Sequence, residues 1–516
     1  MVTTFCVIGC GLGGLNAVIQ TRRKFPNARI VLYEESDGAG GVWRWNRYPG
    51  CACDVPSHLY SLADEPNPEW DEHYADSPSI RAYLERVAEK HNIKDIARFN
   101  TRVTCLEWND PTNQWKVTST SKTTPETTEE WYDYVISANG PLHVPKYPSI
   151  HGLGDFTGPV VHTARWRDDV EFRGKRVAVI GTGASAVQAV PELTKVAKSM
   201  VVFQRHASWI MPKDEYKYSA TVKWIFRNIP LAQRLWRIFI FLTMDFRYFV
   251  FVRKSWFSQR LEASVMKLVH TFIQENVRDL VKRKLATPNY PLGARRITPS
   301  NSYLKAIDDP KTTLISGDAI SHIAPNNIIV TESGLKIPVD VIVLATGFEL
   351  QDIFQNFKIV GRSSSSSSDT ADNQVPLKKT PELAPELEHV FNMPHPRAYM
   401  SACVPQFPNL FLIMGPNSAL GHSSVLIPME LQTKYILNLI RDSRNAGRTR
   451  VEATPAAMKR WNEFLKEGFV DTVWQADKSS WYFDGKGHNF TLWPFSVSYM
   501  MWVFKKRPDL RDFFQC

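Results

Sequence analysis

The sequence predicts an α/β fold, and three observations lead to this class. Two short apolar runs, at residues 5–8 and 177–180, each lead into a glycine-rich turn. Each turn opens a segment with apolar residues at helical spacing, and another apolar strand follows that segment. Strand, tight turn and helix in this order form parallel sheets, so two Rossmann-like units are expected. The aromatic-rich stretch of about 209–290 predicts a helical insertion.

The first glycine-rich turn lies in "FCVIGCGLGG", residues 5–14. Gly9 allows the tight bend, Gly11 lets the backbone approach a pyrophosphate, and Gly14 lets the helix pack closely on the strand. The next strand ends at Glu34, where a carboxylate accepts a hydrogen bond from a ribose 2′-hydroxyl. A turn without a ligand is the alternative, but the acid in this position favours a dinucleotide site.

The second glycine-rich turn lies in "KRVAVIGTGASA" and repeats the pattern with Gly181, Gly183 and Ala186. Ser185, within the same turn, is a further candidate for cofactor binding. The strand that follows ends at Arg205 instead of an acid. A guanidinium group can bind a 2′-phosphate through two hydrogen bonds, so this site favours NADPH over NADH. A surface arginine without a ligand is the alternative.

Two dinucleotide sites in one chain suggest FAD in the first and a nicotinamide cofactor that reduces it in the second. Strands that end in small-residue turns, at 133–145 and 339–350, predict the chain crossings between two domains. The predicted domains are a first FAD-binding part, an NADP-binding domain that carries the insertion, and a second FAD-binding part, at residues 1–145, 146–340 and 341–516.

Composition and charge narrow the functional class. The net charge is +10, but the basic residues are scattered, so no nucleic-acid partner is expected. Seven cysteines without a regular framework favour a reducing compartment, and an apolar strand within a few residues of Met1 leaves no room for a secretory signal, so a cytoplasmic protein is predicted. No cluster of metal ligands is evident.

The apolar run 235–252 is interrupted by charged residues, which predicts a helix packed inside the protein; contact with a membrane surface is the less favoured alternative.

The stretch "FTGPVVHTARW", residues 156–166, lies just before the second turn and carries Phe156, Gly158, His162 and Trp166. It resembles the FxGxxxHxxxW fingerprint of the flavin-containing monooxygenases, and Trp166 is typical of their single-chain Baeyer-Villiger branch. If the segment is helical, its spacing puts His162 and Trp166 on one face, where they would couple the two domains.

The resemblance implies further site residues. "GGVWRWNRYPGCACDVPSHLYS", residues 40–61, is similar to the family's flavin-proximal segment, which implies cofactor contacts for Val42, Trp43 and Asp54. "LGARRI" is similar to the segment with the essential arginine, which implies a catalytic role for Arg296 and a nicotinamide phosphate contact for Arg295.

The activity that the resemblance implies is oxidation of a ketone to an ester or lactone with FAD, NADPH and molecular oxygen, through a flavin 4a-peroxide. Arg296 would keep the oxygen adduct anionic, and Asp54 would orient Arg296. The substrate is expected to be a small hydrophobic molecule.

Three other functions stay open. A flavin monooxygenase that hydroxylates nitrogen, sulfur or carbon has a similar sequence pattern. Cys51 and Cys53 raise the idea of a flavin-disulfide reductase, although C-x-C is not the spacing of redox dithiols. A flavoprotein that has lost oxygenation is the third.

Overall fold

The computed structural model describes residues 2–252, 255–350, 357–363, 385–391 and 395–514. Its strands are β1 (Thr4–Ile8), β2 (Arg29–Tyr33), β3 (Ala97–Arg98), β4 (Thr101–Asn109), β5 (Gln114–Ser121), β6 (Thr127–Tyr132), β7 (Tyr134–Ser137), β8 (Val160–His162), β9 (Arg176–Ile180), β10 (Ser199–Gln204), β11 (Ile210–Met211), β12 (Thr298–Pro299), β13 (Thr312–Ser316), β14 (Ile320–Ala324), β15 (Ile328–Thr331), β16 (Lys336–Pro338), β17 (Val341–Leu344), β18 (Lys358–Val360) and β19 (Leu410–Leu412). Its α-helices are α1 (Leu12–Lys24), α2 (Val42–Trp45), α3 (Ser77–Lys90), α4 (Ala184–Val196), α5 (Ala220–Asn228), α6 (Ala232–Phe246), α7 (Tyr248–Phe251), α8 (Trp256–Asn276), α9 (Leu280–Ala286), α10 (Tyr303–Asp308), α11 (Leu387–Phe391), α12 (Leu426–Asn445), α13 (Pro455–Phe469) and α14 (Val497–Lys505).

The first unit is built on a five-stranded parallel sheet in the order β19-β7-β1-β2-β3. Its strands are almost wholly apolar because both faces are covered. One face packs against the sheet β18-β4-β5-β6, where Tyr33, Leu106 and Trp115 share a core. Helices α1 and α12 pack together in the main core on the other face.

The second unit has the same design, with a parallel sheet in the order β13-β10-β9-β17-β8. Val177 and Val179 of β9 point to the main core, where α4 packs on α10. Ala178 between them points to the opposite face and joins the core of the antiparallel sheet β14-β15-β16. The α/β fold with two Rossmann-like units is therefore confirmed.

The two connections between the units run side by side. Pro145 forms a bridge with Phe348, and the Lys146 N–H donates to the Gly347 carbonyl at 2.9 Å. Strand β17 pairs with β9 and so lies in the second sheet, although the sequence predicts a boundary at residue 340. The boundary therefore lies a few residues later than predicted, because the chain first forms β17 in the second sheet and returns to the first unit only after the turn that follows this strand.

The helical insertion is present as α5 to α9, between Ala220 and Ala286. The expectation that 235–252 packs inside the protein is wrong for much of this run. Ile240 and Met244 of α6 are buried, but Leu235 and Leu242 on its other side are 63% and 57% exposed. In the described ranges, no helix combines the length and the apolar character needed to cross a bilayer.

Candidate functional site

The first glycine-rich turn has the backbone that a close phosphate contact needs. Gly9 adopts φ +100°, and a Cβ there would lie 2.6 Å from the Ala138 carbonyl oxygen. A Cβ on Gly14 would lie 1.8 Å from the Gly9 carbonyl oxygen, so helix and strand touch as predicted. Helix α1 begins after Gly11 with no side-chain cap and no acid in its first turn, which leaves its positive end to an anion.

Glu34 lies at the end of β2 with its carboxylate buried beside this turn. One oxygen accepts from the Cys10 N–H at 2.6 Å, and the other accepts from the Ser36 N–H and hydroxyl. A carboxylate has about four acceptor positions, so one remains for a ribose hydroxyl. The residues of this turn therefore fit a dinucleotide.

The flavin-proximal segment predicted from the resemblance packs directly on the first turn. A Cβ on Gly41 would lie 2.8 Å from the Gly11 Cα, so the two backbones touch. Val42 begins α2, and the buried indole of Trp43 donates to the Tyr60 hydroxyl at 3.1 Å. The segment therefore borders the predicted phosphate position.

The second turn has the same form. Gly181 adopts φ +112°, Gly183 precedes the first residue of α4 without a side-chain cap, and Ser185 lies in the first turn of that helix. Arg205, just past β10, is exposed, and no hydrogen bond or ion pair to it is found in the described part of the chain. Partial burial and the nearby charges of Arg295 and Arg205 lower the pKa of His206. The exposed guanidinium of Arg205 fits an anionic group such as a 2′-phosphate.

The structure brings Asp54 and Arg296 together from segments 242 residues apart. Nε of Arg296 donates to Asp54 Oδ2 at 3.0 Å, and one Nη donates to both carboxylate oxygens at 2.6 Å. The carboxylate raises the pKa of the guanidinium above its ordinary value, so Arg296 stays charged. Its other Nη has no hydrogen-bond partner within the described residues, and 32% of the side chain is exposed.

Two loops fix this ion pair. The Asp54 loop is held by the Cys53 N–H, which donates to the Ala75 carbonyl at 2.9 Å. The Arg296 loop bends at Gly293, where φ is +86° and a Cβ would lie 2.3 Å from the Phe251 ring. Buried Tyr482, from the C-terminal part, lies close enough for the Arg296 charge to affect its pKa, which burial raises.

Arg295 points away from this ion pair. Its Nε donates to Asp477 at 2.5 Å, and an Nη donates to the Ser479 hydroxyl at 2.7 Å. Its guanidinium also lies over the Tyr290 ring, 5.1 Å from the centroid. The predicted phosphate contact of Arg295 stays a prediction, and in this structure its charge is paired with Asp477.

Comparisons with known proteins identify the family of this chain. Residues 3–239 match the FMO-like family, flavin-binding monooxygenase-like proteins. The chain is 34% identical over 490 residues to a Baeyer-Villiger monooxygenase of Pseudomonas aeruginosa, with 95% of this chain and 87% of the relative covered. A Baeyer-Villiger monooxygenase of Streptomyces coelicolor is 32% identical, with 95% and 88% covered.

The chain belongs to the Baeyer-Villiger monooxygenases. Its structure also resembles the crystal structure of OTEMO in complex with FAD and NADP, with a TM-score of 0.81, 25% identity and 96% of both chains covered. In this Baeyer-Villiger monooxygenase, no group of three or more His, Cys, Asp or Glu side chains is placed to hold a metal ion within the described ranges.

The fingerprint of this Baeyer-Villiger monooxygenase lies at the connections between its two units. His162 ends β8, and its Nδ1 accepts from the Ala164 N–H at 3.0 Å, which puts the ring proton on Nε2. Nε2 lies 3.3 Å from the Thr346 hydroxyl, which donates to the Lys146 carbonyl at 2.5 Å. His162 thus joins both connections through one chain of hydrogen bonds.

The other fingerprint residues are fixed by packing. Phe156 is buried under the second sheet, and a Cβ on Gly158 would lie 2.3 Å from the Asp340 carbonyl oxygen. The proposed helical spacing of His162 and Trp166 is wrong, because a strand and a turn occupy this segment. Trp166 stacks on Phe172 with a centroid distance of 5.2 Å instead.

We expect the buried His162 to make the stability of this enzyme depend on pH. Burial lowers the pKa of His162 to about 4, whereas in the unfolded chain the pKa lies near 6.5. The unfolded state therefore binds more protons between these values, and we expect His162 to contribute on the order of 3 kcal/mol above pH 6.5 that is lost toward pH 4.

This expectation is tested by denaturant unfolding from pH 4 to 7. The His162→Asn variant should lose less stability than the parent on acidification. The same substitution at His389, which is four-fifths exposed, serves as control and should follow the parent curve. Parallel curves for the parent and His162→Asn would contradict the assignment.

A second prediction concerns Arg205. We expect Arg205→Ala to raise the KM for NADPH by about tenfold or more and to leave the KM for NADH nearly unchanged, because the substitution removes the guanidinium predicted to bind the 2′-phosphate. Arg173→Ala removes another exposed arginine of the second unit and serves as control. Steady-state kinetics with both cofactors give the answer, and equal changes in both KM values would assign the phosphate to other residues.

Sequence reasoning missed the residue through which α4, the first helix of the second unit, contacts the flavin-proximal segment. Gln188 of α4 donates to the Ala52 carbonyl at 2.8 Å and accepts from the Tyr48 hydroxyl at 2.8 Å. These contacts join α4 to Ala52, which lies two residues before Asp54 in the chain. A glutamine on a helix carries no local signal of such a role, so only the structure reveals it.

Proposed function

We propose that the chain is an FAD-dependent, NADPH-consuming monooxygenase that inserts one atom of molecular oxygen beside the carbonyl group of a hydrophobic ketone. FAD would lie on the turn of Gly9, Gly11 and Gly14, and NADPH on the turn of Gly181 and Gly183. The product would be an ester or a lactone. The reduced flavin supplies the electrons that activate oxygen. The observation that carries the proposal is the Asp54–Arg296 ion pair.

The geometry of this pair suits a reaction that builds negative charge on oxygen. Asp54 occupies one edge of the guanidinium and leaves the other Nη free to donate to an oxygen anion. Asp54 compensates part of the positive charge of Arg296. We therefore expect Arg296 to stabilise an oxygen anion mainly as a hydrogen-bond donor that is held in a fixed direction. Such donors act most strongly where charge develops in the transition state.

The dithiol alternative finds little support. Burial raises the pKa of the Cys51 thiol to about 11 and raises that of Cys53 as well. The thiolate is the reactive form of cysteine, so these thiols are inert at neutral pH.

The free cysteines in the described ranges agree with the proposed cytoplasmic location, where thiols stay reduced.

The proposal is tested with labelled dioxygen and a panel of hydrophobic ketones, amines and sulfides. We expect esters or lactones that carry one labelled oxygen, and one NADPH consumed per product. Oxygenated amines or sulfides without any ester would assign the chain to the hydroxylating flavin monooxygenases. NADPH oxidation without any oxygenated product would support a flavoprotein that has lost oxygenation.

A further inference from the structure

The helical insertion carries an apolar surface that faces solvent. Of the large apolar side chains exposed in the described part of the chain, half lie between residues 224 and 268. We call the following residues the apolar patch: Trp224, Ile229, Leu231, Leu235, Ile238, Phe239, Leu242, Phe246, Phe249, Trp256, Phe257 and Leu268. The rings of Phe246, Phe249 and Phe257 lie within 6.3 Å of one another, so α6, α7 and α8 contribute to one surface. Monomeric proteins seldom expose apolar surface on this scale without a partner.

Helix α6 is apolar on two opposite sides. Its inner side buries Ile240 and Met244, and Arg237 fixes it by donating to the carbonyl groups of His58 and Ser61 at 2.7 Å. Its outer side repeats every three or four residues and presents Leu235, Ile238, Phe239, Leu242 and Phe246. Because the inner side already packs on the protein, the exposed outer side is free to contact an apolar partner.

The charge around the patch identifies the kind of partner. Residues 220–268 contain nine lysines or arginines and two acids, Asp245 and Glu262. Lys223 and Arg227 are paired with Asp71 and Glu69, and Arg237 points inward, so the basic character of the patch rests on the exposed side chains of Arg234, Arg260 and Lys267. Asp245 is buried and accepts from the backbone of Val497 and Ser498, so it does not offset the outer charge. Arg260 is exposed beside Trp256, with its guanidinium 5.5 Å from the ring centroid. A second copy of the chain would bring two basic surfaces together, whereas anionic lipid complements both the apolar and the basic groups.

We propose that the apolar patch docks this enzyme on an anionic lipid surface, with the outer side of α6 in the headgroup region. Tryptophan and phenylalanine beside arginine are typical of helices that lie in this interface without crossing the bilayer. Arg237 anchors the docked helix to the His58–Ser61 segment, a few residues from Asp54, so docking places the candidate site near the membrane. This proposal is independent of the reaction that the enzyme catalyses.

The test is flotation of the full-length, flavin-loaded protein with vesicles. One set contains phosphatidylcholine alone, and the other contains phosphatidylcholine and phosphatidylglycerol in equal amounts. We expect the protein to float with the anionic vesicles and much less with the neutral ones, and high salt should weaken this binding. In the double variant Ile238→Ser, Leu242→Ser, partitioning should fall by at least about tenfold, because two apolar side chains no longer enter the lipid.

The matched control is Val2→Ser with Leu335→Ser, which removes two similarly exposed apolar side chains outside the patch and should float like the parent. Equal melting temperatures and NADPH oxidation rates show that both variants are folded. The proposal is overturned if the protein stays in solution with anionic vesicles, if it binds both vesicle types equally, or if the patch variant floats like the parent. A concentration-dependent dimer that the patch variant abolishes, without vesicle binding, would assign the patch to a second copy.

Discussion

In the Arg296→Ala variant, we expect NADPH to reduce the flavin normally while ester formation falls on the order of a hundred- to a thousandfold. The physical reason is that Asp54 binds one edge of the Arg296 guanidinium, and the remaining Nη is the group proposed to donate to the oxygen anion. Flavin reduction depends on NADPH, and the substitution does not touch the second turn, where NADPH is proposed to bind. Anaerobic rapid mixing measures reduction, and chromatography of a ketone reaction measures the product.

Two variants make this result specific. Arg176→Ala removes an arginine that forms a forked ion pair with Asp340 at 2.6 and 3.1 Å in the second unit, and it should keep full ester formation. Asp54→Ala should lower ester formation to a lesser degree, and adding it to Arg296→Ala should cause little further loss, because Asp54 acts through Arg296. Normal ester formation in Arg296→Ala would refute the role proposed for this residue.

The second large effect is expected from a pair of glycines in one turn. Gly181→Ala should lower the free energy of unfolding by about 3 kcal/mol or more, because φ is +112° and the new Cβ would lie 2.4 Å from the Ala345 carbonyl oxygen. Gly183→Ala should leave stability nearly unchanged, since a Cβ there meets no atom within 4 Å. That open space is where the pyrophosphate is proposed, so the KM for NADPH should rise by about tenfold or more.

The two variants thus separate folding from binding. Thermal unfolding without NADPH reports the first effect, and steady-state kinetics report the second. A Gly183→Ala enzyme with the KM of the parent would show that NADPH does not approach the backbone at this turn. A Gly181→Ala enzyme with the melting temperature of the parent would show that the turn relaxes easily around the new Cβ.

The elements of the two units could be predicted because their signals are local. Gly9 and Gly181 follow apolar strands, and the structure gives both positive φ values. The pairing of Asp54 with Arg296 followed from the family resemblance, since no spacing rule links residues so far apart in the chain. The contact of Gln188 with Ala52 and that of Arg295 with Asp477 escaped prediction for the same reason.

The course of α6 shows a different limit. Its apolar residues predict a helix correctly, but apolar character alone does not say how many sides have a partner within the chain. Ile240 has such a partner, and Ile238, two residues earlier, does not. The turn after His162 was missed because a four-residue interval fits a helix and a strand-to-turn segment equally well.

The paired connections make the second unit a continuous insertion in the chain of the first unit. The chain enters and leaves at one place, where the Glu349 N–H donates to the Val144 carbonyl at 2.9 Å and the Lys146 N–H donates to Gly347. A short linker from Val144 to Glu349 would close the first unit without removing a strand from its sheet. An exchange of this segment between relatives would therefore carry the second glycine-rich turn and Arg296 together, and the recipient would have to supply the partners of Arg296 and Gln188 at Asp54 and Ala52.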